Sequence, residues 1–341
     1  MNDISTTLQT LARQEQFLDV VDRDEAARRF HRHLDLAPLG SERVELSQAL
    51  GRILAQTVVA GVDVPGFDRS SVDGFAVHAD DTVGASDRVP RTLTLNSEVL
   101  TPGTEPRLPV TRGTATLIAT GGVVPRGADA VVMVEHTDAH DRDGATLIDV
   151  RRPVAPGQFI AFAGSDLARG ETVLRAGQML TSREIGMLAA VGCAAIEVWR
   201  KPRVAIISTG DEIIAPGDAM RPGAVYDSNA AILAAAVAEA GGTPHPLGIG
   251  PDAEDVLSHL VGKGVASSEM VILSGGTSKG AGDLCYRAIA GFRDPGIVVH
   301  GVALKPGKPL CLAVTHGKPI VVCCRVFRPR RSLRSTNSSP R

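Results

Sequence analysis

The second half of the chain is built on unbroken apolar runs. Val204-Ala205-Ile206-Ile207 and Met270-Val271-Ile272-Leu273 carry no polar residue, as strands buried on both faces do. Between and after them the pattern changes period. Residues 229–240 read as a helix that Asp227 or Ser228 can cap and that Gly241-Gly242 ends. Residues 243–249 read as a strand, 253–262 as a helix, 283–290 as a helix and 297–304 as a strand. Leu310-Cys311-Leu312-Ala313-Val314 and Pro319-Ile320-Val321-Val322, around Thr315-His316-Gly317-Lys318, form a hairpin pattern. Alternating strands and helices with right-handed crossovers predict a doubly wound, mostly parallel sheet.

The first half is patterned differently. Residues 24–33 predict a helix with acidic residues in its first turn. Ser47 can cap a short helix running through Gly51-Arg52, and residues 53–64 are strand-like. A polar hinge spans 65–77. From 77 to about 150 short apolar runs alternate with Gly, Pro, Asp and Thr, which predicts a small, mostly antiparallel β domain. Within it, residues 114–118 lead into Ala119-Thr120-Gly121-Gly122, and 128–135 form another strand. Thr181-Ser182-Arg183-Glu184 is a capping box opening a helix that ends near Gly192. The layout expected is an elongated α+β linker domain from 1–65 with 146–200, a β-rich domain at 66–145, and an α/β domain at 201–322.

Composition narrows the function. The net charge is -2 and aromatics are 3%, so neither a basic field nor a stacking surface for nucleic acid is expected. The five cysteines lack a C-x-x-C zinc spacing and read as reduced thiols of a cytoplasmic protein. The polar N-terminus has no signal-peptide core, and no run reaches the ~20 apolar residues of a membrane span.

The last residues have another texture. Six of the final seventeen are Arg and none is Lys, Asp or Glu. Reading restarted at the third base of the Cys323 codon, with permitted codons, yields Leu-Pro-Gly-Phe-Pro-Thr-Ser-Ala followed by an amphipathic helix start. A frameshift near Cys323 is the expectation, with 323–341 an out-of-frame tail.

Candidate chemistry sits in loops that follow the apolar strands: Ser208-Thr209-Gly210-Asp211-Glu212, then Ser274-Gly275-Gly276-Thr277-Ser278 with Asp283 beyond it, then Lys305-Pro306-Gly307-Lys308-Pro309. In an open parallel sheet such loops gather beyond the carboxyl ends of the strands, where ligands bind. Paired glycines let a ligand approach the backbone, and hydroxyls add donors. Two lysines suit phosphate or another oxyanion. Asp211, Glu212, Asp252 and Asp283 supply oxygen ligands of the kind Mg²⁺ takes. Turns and helix caps also account for each carboxylate taken singly. Asp68 and Asp73 lie in the hinge, where turn geometry alone accounts for them.

Six motifs occur in order: Phe67-Asp68-Arg69-Ser70-Ser71-Val72-Asp73-Gly74-Phe75-Ala76-Val77, Ser208-Thr209-Gly210-Asp211-Glu212, Tyr226-Asp227-Ser228-Asn229, Ser274-Gly275-Gly276-Thr277-Ser278, Gly282-Asp283 and Lys305-Pro306-Gly307-Lys308-Pro309. Together they resemble the molybdopterin molybdenumtransferase family, MoeA in bacteria and the E domain of gephyrin in animals, over about residues 20–322. The resemblance implies a three-layer molybdopterin-binding α/β domain and a homodimer. It implies insertion of molybdate into adenylylated molybdopterin with release of AMP and with Mg²⁺ as cofactor.

By position in the motifs, Asp73, Asp252 and Asp283 would be catalytic, with Asp73 and Thr120 serving the partner subunit. Thr120, Ser208, Thr209, Gly210, Glu212, Ser274, Gly275, Gly276, Ser278, Lys305 and Lys308 would bind substrate. Asp211, Glu212, Asp252 and Asp283 would hold the metal. Phe162-Ala163 departs from the family, which carries an Arg before the corresponding Gly. The shifted frame restores the family's continuation after Val322, so a C-terminal β domain is expected to be absent and activity impaired. Two alternatives share the α/β fold, a molybdopterin adenylyltransferase and a non-enzymatic pterin-binding scaffold. The hinge and β domain argue against the first, and the retained Asp and Lys residues against the second.

Overall fold

The computed structural model describes residues 20–275, 281–303 and 310–323, the side chains of 281–283 excepted. These divide into two compact units, one from the described parts of Met1–Ser41 and Trp199–Arg341, the other Glu42–Val198.

The first described helix, α1 (Arg23–His31), is capped by Asp22, whose carboxylate accepts from the Glu25 amide at 2.8 Å. Glu25 pairs with Arg28 and Arg29 one turn on, a spacing that places their side chains together.

Unit Glu42–Val198 holds a six-stranded sheet of β1 (Gly74–Val77), β2 (Arg91–Leu100), β3 (Thr114–Ile118), β4 (Ala130–Met133), β5 (Thr137–Arg142) and β6 (Ala145–Val150), in the order β4-β1-β3-β2-β6-β5. Every pairing is antiparallel except β2 with β3. The strand expected at 128–135 is shorter, because Val134–His136 turns into a 3₁₀ helix, and the Val134 amide donates back to the Asp73 carbonyl at 3.1 Å. Gly74 is required in β1. A Cβ there would lie 1.9 Å from the Val132 carbonyl oxygen of the neighbouring strand.

The rest of this unit packs on Leu54, Leu180, Leu188, Ile196 and Val198, all nearly or fully buried. Helix α2 (Ser182–Ala190) opens with the expected capping box, in which Glu184 accepts from the Thr181 amide at 3.0 Å and Thr181 from the Arg183 amide at 3.3 Å. Two expectations are corrected. Ser47 caps no helix: it sits inside a 3₁₀ turn, Leu46–Gln48, in which the Ala49 amide that a Ser47 cap would take donates to the Leu46 carbonyl instead. Residues 53–64 are not one strand. Only Val58–Val59 forms a ladder, while Ile53, Leu54 and Val64 make single bridges to Met179, Val198 and Leu167. Apolar residues there are held by burial, point by point, instead of by a continuous ladder.

The other unit carries β7 (Arg203–Thr209), helix α3 (Ser228–Glu239), β8 (Thr243–Gly250), helix α4 (Glu254–Ser267), β9 (Met270–Gly275), helix α5 (Ala281–Ala290), β10 (Pro295–His300), β11 (Leu310–Thr315) and β12 (Lys318–Cys323). The sheet order is β8-β7-β9-β12-β11-β10. Strands β8, β7, β9 and β12 are parallel. The hairpin reverses β11, and β10 pairs antiparallel to it. The strand expected near 297–304 thus exists but sits at the edge beyond the hairpin. It runs with the parallel set without bonding to it.

Alternate residues of each strand serve opposite faces. Ala205, Ile207, Val271 and Leu273 pack on Leu257 and Val261 of α4 and on Ala288 and Ile289 of α5. Val204, Ile206 and Ile272 pack on Val237 of α3, and Val299 and Leu312 pack on Ala26 of α1. This is a three-layer α/β/α arrangement. Each fully buried Leu or Ile contributes about 1.5–3 kcal/mol relative to exposure. Alanine-rich α3 has high helix propensity and stops where Gly241 takes a φ of +88° and its amide donates to Ala238.

Candidate functional site

The connections leave β7 and β9 in opposite directions. From β7 the chain runs through α3 to β8 on one side. From β9 it leads through α5 to the far edge on the other. The carboxyl ends of β7 and β9 therefore flank a topological switch point, where open α/β sheets leave a crevice. Ser208 pairs in register with Ser274, and Thr209 with Gly275.

The two strand ends interlock. A Cβ on Gly275 would lie 2.1 Å from Thr209 Cγ2, so glycine permits the approach. Thr209 is 2% exposed, and its hydroxyl donates to Asp252 Oδ1 at 2.8 Å. The Asp252 amide donates to Asp211 Oδ1 at 3.2 Å. Gly210 takes a φ of +147°, and a Cβ there would meet Glu212 Oε2 at 2.7 Å, so the Glu212 carboxylate folds back over the loop. Arg221 Nη2 donates to the Asp211 carbonyl at 2.6 Å and the Val225 amide to the Glu212 carbonyl at 2.8 Å, which fixes the loop from its far side.

On the α3 side of the sheet, Asn229 Nδ2 donates to Ser274 Oγ at 3.0 Å. Asp227, 6% exposed, caps α3 by accepting from the Ala230 amide at 2.9 Å. Ser208 Oγ is buried with no hydrogen-bond partner among the described residues.

The structure thus brings together Ser208, Thr209, Gly210, Asp211, Glu212, Asp252, Ser274 and Gly275. Gly276, Ser278, Lys305 and Lys308 lie outside the described residues, as does the Asp283 side chain. Among the described residues no group of three or more His, Cys, Asp or Glu converges to hold a metal ion. The oxygen-only donors Asp211 and Asp252, linked through the Asp252 amide, still suit Mg²⁺. That ion takes one or two carboxylates and fills its octahedron with water and phosphate oxygens.

Asp73 and Thr120 belong to the other unit, and the structure pairs them directly. Asp73 Oδ1 accepts from the Thr120 amide at 2.6 Å and from its hydroxyl at 2.9 Å. Those bonds, the amide's first, hold the Asp73 carboxyl below its usual range. Asp68 has a local duty, with Oδ1 accepting from the Ala163 amide at 2.8 Å across the hinge.

Residues 21–192 match the family described as the MoeA N-terminal region (domain I and II), and residues 205–324 match the one described as a probable molybdopterin binding domain. The chain belongs to the MoeA family. A MoeA relative named molybdopterin molybdenumtransferase 2, from Mycobacterium tuberculosis, is 38% identical over 282 residues, which cover 82% of this chain and 68% of the relative. One named molybdopterin molybdenumtransferase, from Nostoc, is 36% identical over 82% of this chain and 63% of its own length. A crystal structure of the molybdopterin biosynthesis MoeA protein from Pyrococcus horikoshii superposes with a TM-score of 0.76 at 35% identity, covering 89% of this chain and 74% of that one.

Two contributors escaped the sequence reading of this MoeA chain. Asn229 stood in a motif without a role, and Arg221 in none. An Asn in the first turn of a helix reads as capping chemistry, and only the register of β7 against β9 shows what it reaches.

Proposed function

We propose that this chain is a molybdopterin molybdenumtransferase of molybdenum cofactor biosynthesis. It inserts molybdate into the dithiolene of adenylylated molybdopterin, with release of AMP. The observation that carries the reading is the switch-point cluster, in which Ser208 pairs with Ser274 at the ends of β7 and β9 and the Thr209 hydroxyl holds Asp252, in a chain whose relatives bear that name.

Each group has a task in this reading. Ser208, Thr209, Gly210, Ser274 and Gly275 seat the substrate, with Gly276, Ser278, Lys305 and Lys308 completing the phosphate and molybdate contacts. Asp252, held by Thr209, and Asp211, held by the Asp252 amide, would ligate Mg²⁺ together with Glu212 and Asp283. Bound Mg²⁺ supplies neutralisation of phosphate charge. Asp252 and Asp283 act on the reacting phosphate, and in the homodimer Asp73 and Thr120 serve the partner subunit. A homodimer in the cytoplasm is part of the proposal. Among the described residues no helix is long and apolar enough to cross a membrane.

The test is incubation of the purified chain with adenylylated molybdopterin, molybdate and Mg²⁺. AMP release that depends on molybdate, with activation of an apo-molybdoenzyme, is the expected result. Adenylylation of molybdopterin with pyrophosphate release would replace this reading with the adenylyltransferase. Pterin binding without turnover would leave a scaffold.

A further inference from the structure

The Ser208–Ser274–Asn229 cluster is more specific than seating alone requires. Ser208 and Ser274 are register partners on adjacent parallel strands, so their side chains leave the same face of the sheet. They are 3% and 2% exposed. Asn229 donates its amide hydrogen to Ser274 Oγ. An oxygen that accepts from Asn229 keeps its own O–H to donate elsewhere. Ser208 Oγ is beside it, buried and without a partner among the described residues. Leaving a buried hydroxyl unmatched is costly, and native chains keep few such groups without a reason.

We infer that Asn229 is a positioning residue that turns the Ser274 hydroxyl outward as a donor, and that Ser274 and Ser208 together bind an acceptor edge of the pterin substrate. The inference rests on the molybdopterin reading of this site. Asn229 itself touches Ser274, not the ligand. At this depth the hydroxyls meet the ligand's innermost polar atom, in a low-dielectric setting where one hydrogen bond weighs more than at the surface.

Metal-free molybdopterin is the probe, with binding followed by fluorescence titration and folding by thermal melts of the same full-length samples. Ser208→Ala removes an unmatched hydroxyl, so its melting temperature stays level or rises while pterin affinity falls about tenfold. Asn229→Asp offers Ser274 only acceptors, which draws the Ser274 proton inward, and affinity again falls about tenfold. In a Ser274→Ala background Asn229→Asp has no further effect on binding, because the two act through one hydroxyl. Should Asn229→Asp fail to fold, Asn229→Ala and Ser208→Ala decide the matter. Folded Ser208→Ala and Asn229→Ala proteins that bind as tightly as the parent would overturn the inference. A parent chain that binds no molybdopterin would instead sink the molybdopterin reading of this site beneath it.

Discussion

One oxygen of Asp73 accepts two hydrogen bonds from Thr120, from the amide at 2.6 Å and from the hydroxyl at 2.9 Å. The pairing joins the end of the hinge to the loop after β3, residues 47 positions apart. It prepares a charged carboxylate in an exposed place, because both bonds favour the ionised form.

Thr120→Val keeps the amide donor and removes the hydroxyl, so the Asp73 pKa rises part of the way toward its ordinary value. A carboxylate whose folded pKa is depressed contributes stability above its unfolded pKa, and loses it as pH falls through the folded pKa. In both proteins that loss begins as pH falls through the ordinary carboxylate range of the unfolded chain; in the parent it continues further down, and in Thr120→Val it is smaller and complete at higher pH. NMR titration of the Asp73 carboxyl carbon in both proteins measures the difference. Identical titration curves would mean that the hydroxyl bond carries no weight.

Gly275→Ala forces a methyl against Thr209 Cγ2, 2.1 Å away, and near Cys285 Sγ at 3.1 Å. Separating β7 from β9 at their ends should cost about 1–3 kcal/mol. The same movement displaces the Thr209 hydroxyl from Asp252, so pterin affinity falls together with the denaturant midpoint. A variant with an unchanged midpoint would show that the strand ends have room to part.

Asp252→Asn retains an oxygen that can accept from Thr209, so the loop keeps its bond while losing a charge. Its stability should stay within the range of ordinary surface substitutions, about ±0.5 kcal/mol. Molybdate-dependent AMP release should fall about a hundredfold, and calorimetry with Mg²⁺ alone should show weakened binding. Full activity in a folded Asp252→Asn protein would remove Asp252 from the reaction.

Thr181→Ala strips α2 of its cap. A lost cap costs about 1 kcal/mol, which corresponds to a melting shift of about 2–4 °C for a unit of this size. The Thr181 hydroxyl and amide also hold the Glu184 carboxyl below its usual range, so the stabilisation is present above the unfolded pKa and fades as pH falls through the lowered one. Melts of both proteins at neutral and acid pH should converge at the acid end. A constant gap across the series would assign the loss to the helix alone.

What depends on local period and local chemistry is legible in the chain alone. The runs at 204–207 and 270–273 could only be doubly buried strands, and α3 and the α2 capping box were legible because caps, alanines and glycine stops act within a few residues. Ser208, Thr209, Asp211, Asp252 and Ser274 could be named as candidates because each follows such a strand.

Tertiary structure decided what depends on which strand lies beside which. The register that sets Ser208 beside Ser274 and Thr209 against Gly275 is non-local, and so are the Asn229 bond to Ser274 and the Asp73 bond to Thr120. Residues 53–64 misled for the same reason. Their apolar spacing fits a strand, but ladder formation needs a partner of matching length, and the chain there meets only single bridges. Ser47 had the chemistry of a cap, yet the Leu46 carbonyl had already taken the Ala49 amide that a cap would need. Local pattern specifies which groups are available, while pairing across the fold specifies which of them meet, because a hydrogen bond forms only within its short reach.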